Sequence, residues 1–274
     1  MPLNIIVGIK WVPNTTSVNI DPKTGTLIRE GIPGIVNPHD LTAVEFALML
    51  KDRYGGTVTA VSMSPPAAVA GLEHLIGMGV DKAILFSDRV FAGADTLATS
   101  YVLAEGIKRI GNYDLIIMGH ETIDSSTAHI GAQVASWLRL PYIYYVVDAE
   151  YREDERVLRV KRMLENAYEV YDIRLPALIS IAMHTYNPRR VSLLNKIKAK
   201  KEKVIEVWSN QVLGLDVNCI GLRGSPTFLT KIEYIPKVPR KKERFEGKDY
   251  EEAARWLFKK LMEDGVLNLE EVSR

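Results

Sequence analysis

Short apolar runs alternate with amphipathic stretches along the first half of the chain. The runs are rich in Ile, Val and Leu and are bounded by Gly, Asn, Asp or Pro, which is typical of buried strands. Between them, apolar residues recur at intervals of three and four positions, which predicts helices. The predicted strands cover residues 3–9, 57–63, 83–86, 114–118 and 141–147. The predicted helices cover residues 41–53, 65–78, 96–110 and 132–138. Asp40 is the expected N-cap of the first helix, and Asp95 or Thr96 that of the third. Residues 26–28 are β-like and would form a short hairpin.

This rhythm of strand and helix predicts an α/β fold. Right-handed crossovers would build it into a doubly wound, mostly parallel sheet that is Rossmann-like. Ligands in such sheets bind beyond the carboxyl ends of the strands. From residue 148 the apolar period changes to two, which predicts an added antiparallel hairpin over about 148–175. Residues 176–181 are apolar again and predict a last buried strand.

The rest of the chain is less regular. Residues 204–248 contain many Pro and Gly and are interpreted as irregular, whereas residues 249–264 have the pattern of an amphipathic helix. We therefore expect one α/β domain over residues 1–203, including the hairpin and a loop at 184–203. Residues 204–274 would form a C-terminal arm with its helix.

One polar stretch follows the predicted strand at 114–118. It has the sequence GHETIDSSTAHIGAQ and covers residues 119–133. Asp124, Ser125, Ser126 and Thr127 are all good helix N-cap residues, so the stretch is consistent with a simple cap. A helix N-terminus also offers unpaired N–H groups and a partial positive charge, so the same stretch is consistent with a phosphate site.

Composition and charge narrow the classes of function. The formal net charge is +1, so there is no overall field that would attract nucleic acid or an anionic membrane. No apolar run approaches the roughly 20 residues of a membrane helix, and the N-terminus lacks the features of a signal peptide. We expect a cytoplasmic protein that is not integral to a membrane. Cys219 is the single cysteine, which excludes an internal disulfide and a thiolate-ligated cluster.

The common catalytic motifs are absent from the sequence. There is no GxGxxG fingerprint, no P-loop and no GxSxG elbow. The histidines form no HExxH or HxH pair, so we predict no metal site. No catalytic residue is predicted either, because no nucleophile has a recognisable partner.

A basic stretch at residues 184–203 holds seven Lys or Arg against one Glu. Such runs are often solvated surface, and nucleic-acid binding is a rival that lacks the expected interleaved aromatic residues. Val191, Leu193 and Leu194 lie within the charges, as in a protein-docking segment. In such segments the charges raise the rate of association with a partner protein, and a leucine fills a pocket on that partner.

Taken together, several motifs resemble the β subunit of electron transfer flavoproteins. Their order and spacing match from residue 3 to about residue 264. The motifs are VGIKWVP (7–13), NPHD (37–40), VSMSP (61–65), GMGVD (77–81), IDxxTxxxGxQ (123–133) and LxNxxKAKK (193–201). This sequence departs from the family pattern at His120, Glu121, Ser125, Ser126 and His129.

The resemblance implies that the sheet is of the adenine-nucleotide-binding type and that residues 1–203 form the nucleotide-binding domain. It also implies a heterodimer with a larger α subunit that holds one FAD and against which the C-terminal arm would pack. The β subunit would hold AMP in ordinary members, or a second FAD that meets NADH in electron-bifurcating members. The nucleotide-binding positions carried over by the resemblance are Gly8, Asn37, Pro38, His39, Asp40, Met63, Thr122, Ile123, Asp124, Ser125, Ser126, Thr127, Ala128, His129, Ile130, Gly131, Ala132 and Gln133. Asp124, Thr127 and the first turn of the following helix would hold the pyrophosphate.

The stretch DRVFAGADTLATS at residues 88–100 resembles the bifurcating branch in particular. Small and hydroxylated residues there would supply hydrogen bonds to a ribityl chain and flavin ring without bulk. The positions expected around that end are Asp95, Thr96, Leu97, Ala98, Thr99 and Ser100. We therefore expect FAD, with AMP as the alternative. An unrelated nucleotide-binding protein acting on nucleic acid is a third hypothesis, which the near-neutral charge disfavours.

The family's recognition loop falls on the basic stretch. The resemblance implies docking of a partner dehydrogenase or a quinone-linked oxidoreductase there. The docking residues carried over are Leu193, Lys198, Lys200 and Lys201.

Overall fold

The computed structural model describes residues 2–14, 33–227 and 240–267, without the side chains of residues 198–201. The chain divides into two compact units, Met1–Ile232 and Glu233–Arg274. The first unit extends beyond the domain end expected at residue 203, because residues 205–208 form a strand of its sheet.

A nine-stranded sheet forms the centre of the first unit, and the α/β prediction is confirmed. Seven strands run parallel, and the last two continue the sheet as an antiparallel hairpin. In spatial order the strands are β11 (Ile205–Trp208), β5 (Lys82–Phe86), β4 (Gly56–Met63), β1 (Leu3–Gly8), β6 (Leu115–Gly119), β10 (Ala177–Ile181), β7 (Tyr142–Arg152), β8 (Val157–Met163) and β9 (Tyr168–Arg174). A second sheet pairs β2 (Trp11–Pro13) with β3 (Gly34–Val36).

Helices connect most of the parallel strands. The helices are α1 (Pro38–Tyr54), α2 (Val69–Met78), α3 (Thr96–Ile110), α4 (Ile130–Leu138), α5 (Leu193–Glu202), α6 (Asn210–Leu213) and, in the second unit, α7 (Tyr250–Glu263). Within the described ranges, no helix combines the length and the apolar character that crossing a membrane requires.

The main sheet is covered on both faces. Ile5 and Val7 of β1 lie in a cluster with Leu48 of α1, whereas Ile6 lies in a second cluster with Val102 of α3. Because successive strand residues point to opposite faces and both faces are buried, the central strands are mostly apolar. Burial of each such side chain stabilises the fold by about 2 kcal/mol.

The switch point of the sheet lies between β1 and β6. From β1 the chain moves to β4 and β5 on one side, and it later returns to β6 on the other. Gly8 and Met118 are aligned in the register of this pair. Residues that follow β1 and β6 therefore meet at the carboxyl edge, where doubly wound sheets bind ligands.

Several element boundaries differ from the predictions. Helix α1 begins at Pro38 with Asn37 as N-cap residue, so the predicted cap at Asp40 is wrong. Proline suits the first helical position because its missing N–H is not needed there. Helix α5 lies inside the expected loop at 184–203, and β11 and α6 lie inside the stretch interpreted as irregular. A short hairpin near residues 26–28 was also expected, and it falls outside the described residues.

The second unit confirms the predicted C-terminal helix. The side chain of Asp249 caps α7 by accepting a hydrogen bond from the N–H of Glu251 at 2.8 Å. The rings of Phe245 and Trp256 pack with centroids 6.0 Å apart. No residue of α7 is buried.

Candidate functional site

The side chain of Asn37 joins the start of α1 to the loop after β6. Its Nδ2 donates to the carbonyl oxygen of Glu121 at 2.8 Å, and its Oδ1 accepts from the N–H of Ile123 at 3.2 Å. Asn37 is fully buried, and its two bonds anchor a loop whose residues are half-buried or exposed. The resemblance implied that Asn37 is a nucleotide contact. In the structure its amide fixes the backbone of residues 121–123.

Asp40 of α1 contacts the chain at the ends of β1 and β6. Its Oδ2 accepts a hydrogen bond from the N–H of Lys10 at 2.8 Å. Burial raises the pKa of Asp40 to about 7, against the opposing effect of the hydrogen bonds from Lys10 and Asn37. A side chain at Gly119 would collide with Oδ1 of Asp40, so only glycine permits this close approach of β6 to α1.

An ion pair between Lys10 and Asp124 lies at the switch point. The Nζ of Lys10 is 2.7 Å from Oδ1 of Asp124, and it also donates to the hydroxyls of Thr122 at 3.4 Å and Ser125 at 3.3 Å. The Asp124 side chain is only 3% exposed, whereas that of Lys10 is 36% exposed. The lysine is therefore the group of the pair that faces solvent.

The environment keeps Asp124 ionised. Burial alone would raise the pKa of Asp124, but the hydrogen bonds from Lys10 and Thr122 and the nearby ammonium charge outweigh it. The net effect is a pKa below the ordinary value. Lys10 was not among the residues expected to bind the nucleotide, although its position directly after β1 was a usable signal.

The loop from Thr122 to His129 contains a turn that is held by hydrogen bonds between its own residues. The carbonyl oxygen of Thr122 accepts from the N–H of Ser126 at 2.8 Å and from its hydroxyl at 3.1 Å. Ser126 and Ala128 have left-handed backbone conformations, with φ of 47° and 54°. The side chains of Ser125, Ser126 and Thr127 are exposed.

Helix α4 begins at Ile130, and its N-cap residue His129 makes no side-chain cap bond. The interpretation of residues 124–127 as caps of this helix is therefore wrong, because their polar groups bond within the loop or face solvent. Within the described part of the chain, no side chain caps the first turn. Its N–H groups thus keep the capacity to bind an anion.

The N-terminal ends of α3 and α4 lie side by side. The Nε2 of Gln133 donates to the hydroxyl of Thr96 at 3.3 Å, and the indole N–H of Trp137 donates to the hydroxyl of Ser100 at 3.1 Å. Asp95 caps α3 through the N–H of Ala98 at 3.0 Å, as predicted. The structure thus brings together the two stretches that the sequence placed around a nucleotide.

The residues at 95–100 differ in accessibility. Leu97 is 38% exposed and Thr96 and Thr99 are half-buried, so these three lie at the surface of the helix start. Ala98 and Ser100 are buried, and the hydroxyl of Ser100 donates to the carbonyl oxygen of Leu97 at 2.8 Å. Ala98 and Ser100 therefore pack inside the protein.

The other predicted nucleotide-binding positions lie along the carboxyl edge of the sheet. Those that are buried are Gly8, His39 and Gly131. Those that are half-buried are Pro38, Met63, Ala128 and Ile130. Those that are exposed are Ile123, His129 and Ala132. These positions therefore differ in their accessibility to solvent.

Two imidazoles lie behind this edge. Burial lowers the pKa values of His39 and His120, and the charge of Glu121 opposes the shift for both. The Nε2 of His39 is 4.0 Å from Oε1 of Glu121, and the ring of His120 packs edge-on against Tyr145 at 4.4 Å between centroids. His120 and Glu121 depart from the family pattern, and here they form one packed group with His39.

A separate surface carries the expected docking residue. Leu193 begins α5 and is 72% exposed. The preceding chain is held firmly, because Arg189 pairs with Glu45 and the N–H of Ser192 donates to the carbonyl oxygen of Gly77 at 2.8 Å. Lys198, Lys200 and Lys201 belong to the same helix, but their side chains lie outside the described residues.

The chain is similar to known proteins along most of its length. The electron transfer flavoprotein domain matches residues 24–213. The chain is 40% identical over 266 residues to the electron transfer flavoprotein subunit beta of Clostridium acetobutylicum, across 96% of this chain and 99% of that one. It is also 40% identical over 266 residues to subunit CarD of the caffeyl-CoA reductase–Etf complex of Acetobacterium woodii, across 97% and 100% of the two chains. Protein FixA of Azotobacter vinelandii is 41% identical over 247 residues, across 88% of this chain and 86% of its own. Because the domain covers more than half of the chain and these relatives match along most of their lengths, the chain belongs to the electron transfer flavoprotein family, as a β subunit.

Proposed function

We propose that this β subunit binds an FAD of its own and works in an electron-bifurcating complex with an α subunit. The observation that carries the proposal is the pairing of the N-termini of α3 and α4 through Thr96 and Gln133. The N-terminal ends of α3 and α4, here called the second lobe, extend the carboxyl edge at β1 and β6. A dinucleotide needs such a second lobe, whereas a mononucleotide does not.

The residues at the carboxyl edge fit a bound FAD. The ammonium of Lys10 and the uncapped first turn of α4 suit the diphosphate. The Oε1 of Gln133 is buried and has no hydrogen-bond partner among the described residues, and a ribityl hydroxyl would supply the missing donor. Thr96, Leu97 and Thr99 would line the flavin end.

The chain's own contribution is binding and positioning. Asn37 and Asp40 hold the loop after β6 in place, and Asp124 keeps Lys10 oriented. The bound FAD would supply the redox chemistry, taking a hydride from NADH and passing one electron to the α-subunit FAD and one to a low-potential acceptor.

The second candidate function is a β subunit that holds structural AMP, with all redox chemistry on the α subunit. One observation favours it. Ser100 and Ala98 are buried and Asp95 is engaged in hydrogen bonds, so fewer polar groups of 95–100 are available to a flavin than the sequence suggested.

The exposed start of α5 fits the docking of a partner dehydrogenase or a quinone-linked oxidoreductase. Leu193 would fill a pocket on that partner, and the surrounding basic residues would raise the encounter rate. The ion pair of Arg189 with Glu45 would hold the helix in place before docking.

The test is a nucleotide count. The chain is co-expressed with its α partner, the purified complex is denatured, and the released nucleotides are identified by chromatography and mass. Two FAD per heterodimer is the expected result. One FAD and one AMP would reject the FAD proposal in favour of the AMP subunit, and the absence of any adenine nucleotide beyond one FAD would reject both.

A further inference from the structure

The segment after α6 returns to the loop between β5 and α3. The N–H of Leu222 donates to the carbonyl oxygen of Ala92 at 3.1 Å. Gly221 has φ of +57°, and a side chain at this position would collide with the carbonyl oxygen of Val90. The two backbones are therefore in close contact, although they are about 130 residues apart.

Asp95 is the centre of this contact. Its backbone N–H donates to the hydroxyl of Ser225 at 2.8 Å, and that hydroxyl donates onward to the carbonyl oxygen of Gly221 at 2.8 Å. Its Oδ2 accepts from the hydroxyl of Thr227 at 2.8 Å and from the N–H of Thr227 at 3.2 Å. Its Oδ1 caps α3 through Ala98.

These bonds occupy the carboxylate of Asp95. Burial would raise the pKa of Asp95, but the hydrogen bonds from Ala98 and Thr227 outweigh it and hold the pKa below the ordinary value. A carboxylate that accepts three hydrogen bonds within the protein has little capacity left for a ligand. Asp95 therefore acts on the cofactor end of α3 by fixing its geometry.

We propose that Ser225 and Thr227 are positioning residues for the second lobe of the nucleotide site. Acting through Asp95, they set the start of α3 and hence the place of Thr96, which pairs with Gln133 of α4. The inference rests on the proposed function, since a second lobe matters only for a dinucleotide. It also assigns a role to a stretch that the sequence pattern marked as irregular.

A cavity beside these hydrogen bonds also depends on the contact between the two segments. An open cavity of about 350 Å³ lies between the two segments, and Arg89 and Arg223 are among its lining residues. Ala92 and Leu222, which are joined by a backbone hydrogen bond, also line it. A shift of the 221–227 segment would change this cavity together with the start of α3.

The experiment compares Thr227→Val with Thr227→Ser in the co-expressed complex. Valine keeps the size of the side chain but removes the hydroxyl, whereas serine keeps the hydroxyl. The complexes are stripped of nucleotide and titrated with FAD, and the visible circular dichroism of the rebound flavin is recorded. We expect about tenfold weaker binding of the second FAD and an altered flavin spectrum for Thr227→Val, with both restored in Thr227→Ser.

Ser225→Ala is the second variant and should also weaken binding of the second FAD. The test therefore remains informative if Thr227→Val does not fold. Unchanged FAD affinity and an unchanged spectrum in both Thr227→Val and Ser225→Ala would overturn the positioning role. So would a loss in Thr227→Ser as large as that in Thr227→Val. The unaltered complex reports separately on the proposed function: if it releases AMP instead of a second FAD, that function fails, and this inference fails with it.

Discussion

Lys10 and Asp124 are 114 positions apart in the chain, yet their side chains form an ion pair of 2.7 Å at the carboxyl edge of the sheet. The pair changes the role expected for Asp124. A carboxylate repels a pyrophosphate, and this one is buried against an ammonium group. Asp124 therefore orients Lys10, and Lys10 is the group suited to the anion.

Lys10→Met should weaken nucleotide binding by tenfold or more, because the variant removes the cation and leaves Asp124 unpaired beside the site. The measurement is the amount of nucleotide that co-purifies with the complex, followed by titration of the stripped protein. Lys108→Met is a matched control, since Lys108 forms an exposed pair with Glu105 on α3. Wild-type nucleotide affinity in Lys10→Met would contradict the role of Lys10.

Asn37→Ala should lower the free energy of unfolding by about 1–3 kcal/mol, because the variant loses both hydrogen bonds that the buried amide of Asn37 makes. Urea unfolding monitored by tryptophan fluorescence measures the change. Asn218→Ala is the control, because the amide of Asn218 is exposed and bonds only to the nearby Asp216 among the described residues. Equal stabilities for the two variants would show that the Asn37 bridge contributes nothing.

The stability of the protein should depend on pH through Asp40. A carboxyl group with a raised pKa in the folded state stabilises that state at low pH, and the contribution is lost as the pH rises from about 4 towards 7. Asp40→Asn mimics the protonated form at every pH. Relative to this variant, the wild type should lose roughly 1 kcal/mol of unfolding free energy per pH unit between pH 5 and 7.

Urea unfolding of both proteins at pH 5, 6 and 7 provides the comparison. The lowered pKa values of His39 and His120 act in the opposite direction, but both residues are present in both proteins and their effects cancel in the difference. A difference that does not change with pH would mean that Asp40 keeps an ordinary pKa.

Leu193→Ala should slow electron delivery to a partner dehydrogenase while the flavin content stays intact. Leu194→Ala is a matched control, because Leu194 is the next residue of α5 and is equally exposed, at 78% against 72%. Dye reduction through the partner gives the rate, and absorbance gives the flavin. If both variants slow the rate equally, docking depends on general apolar area and not on Leu193. Lost flavin in Leu193→Ala would instead assign the residue a structural role.

Much of the fold could be predicted because its signals are local. The apolar runs within β1, β5 and β6 are continuous, since both faces of these strands are covered, and the change to alternation marked the hairpin at β8 and β9. The predictions failed where tertiary contacts override local preference. Residues 205–208 become a strand only because β5 offers them an edge to pair with.

The sequence by itself determined the fold class, the family and the stretches that surround the site, because strand periodicity, turn residues and motif spacing are properties of neighbours along the chain. Only the tertiary structure decided which partner each polar group takes. It assigned Asp124 to Lys10, Asn37 to the loop at 121–123 and Asp95 to Thr227. The physical reason is that a buried polar group must find a hydrogen-bond partner, and the nearest one in space is often more than eighty residues away in sequence.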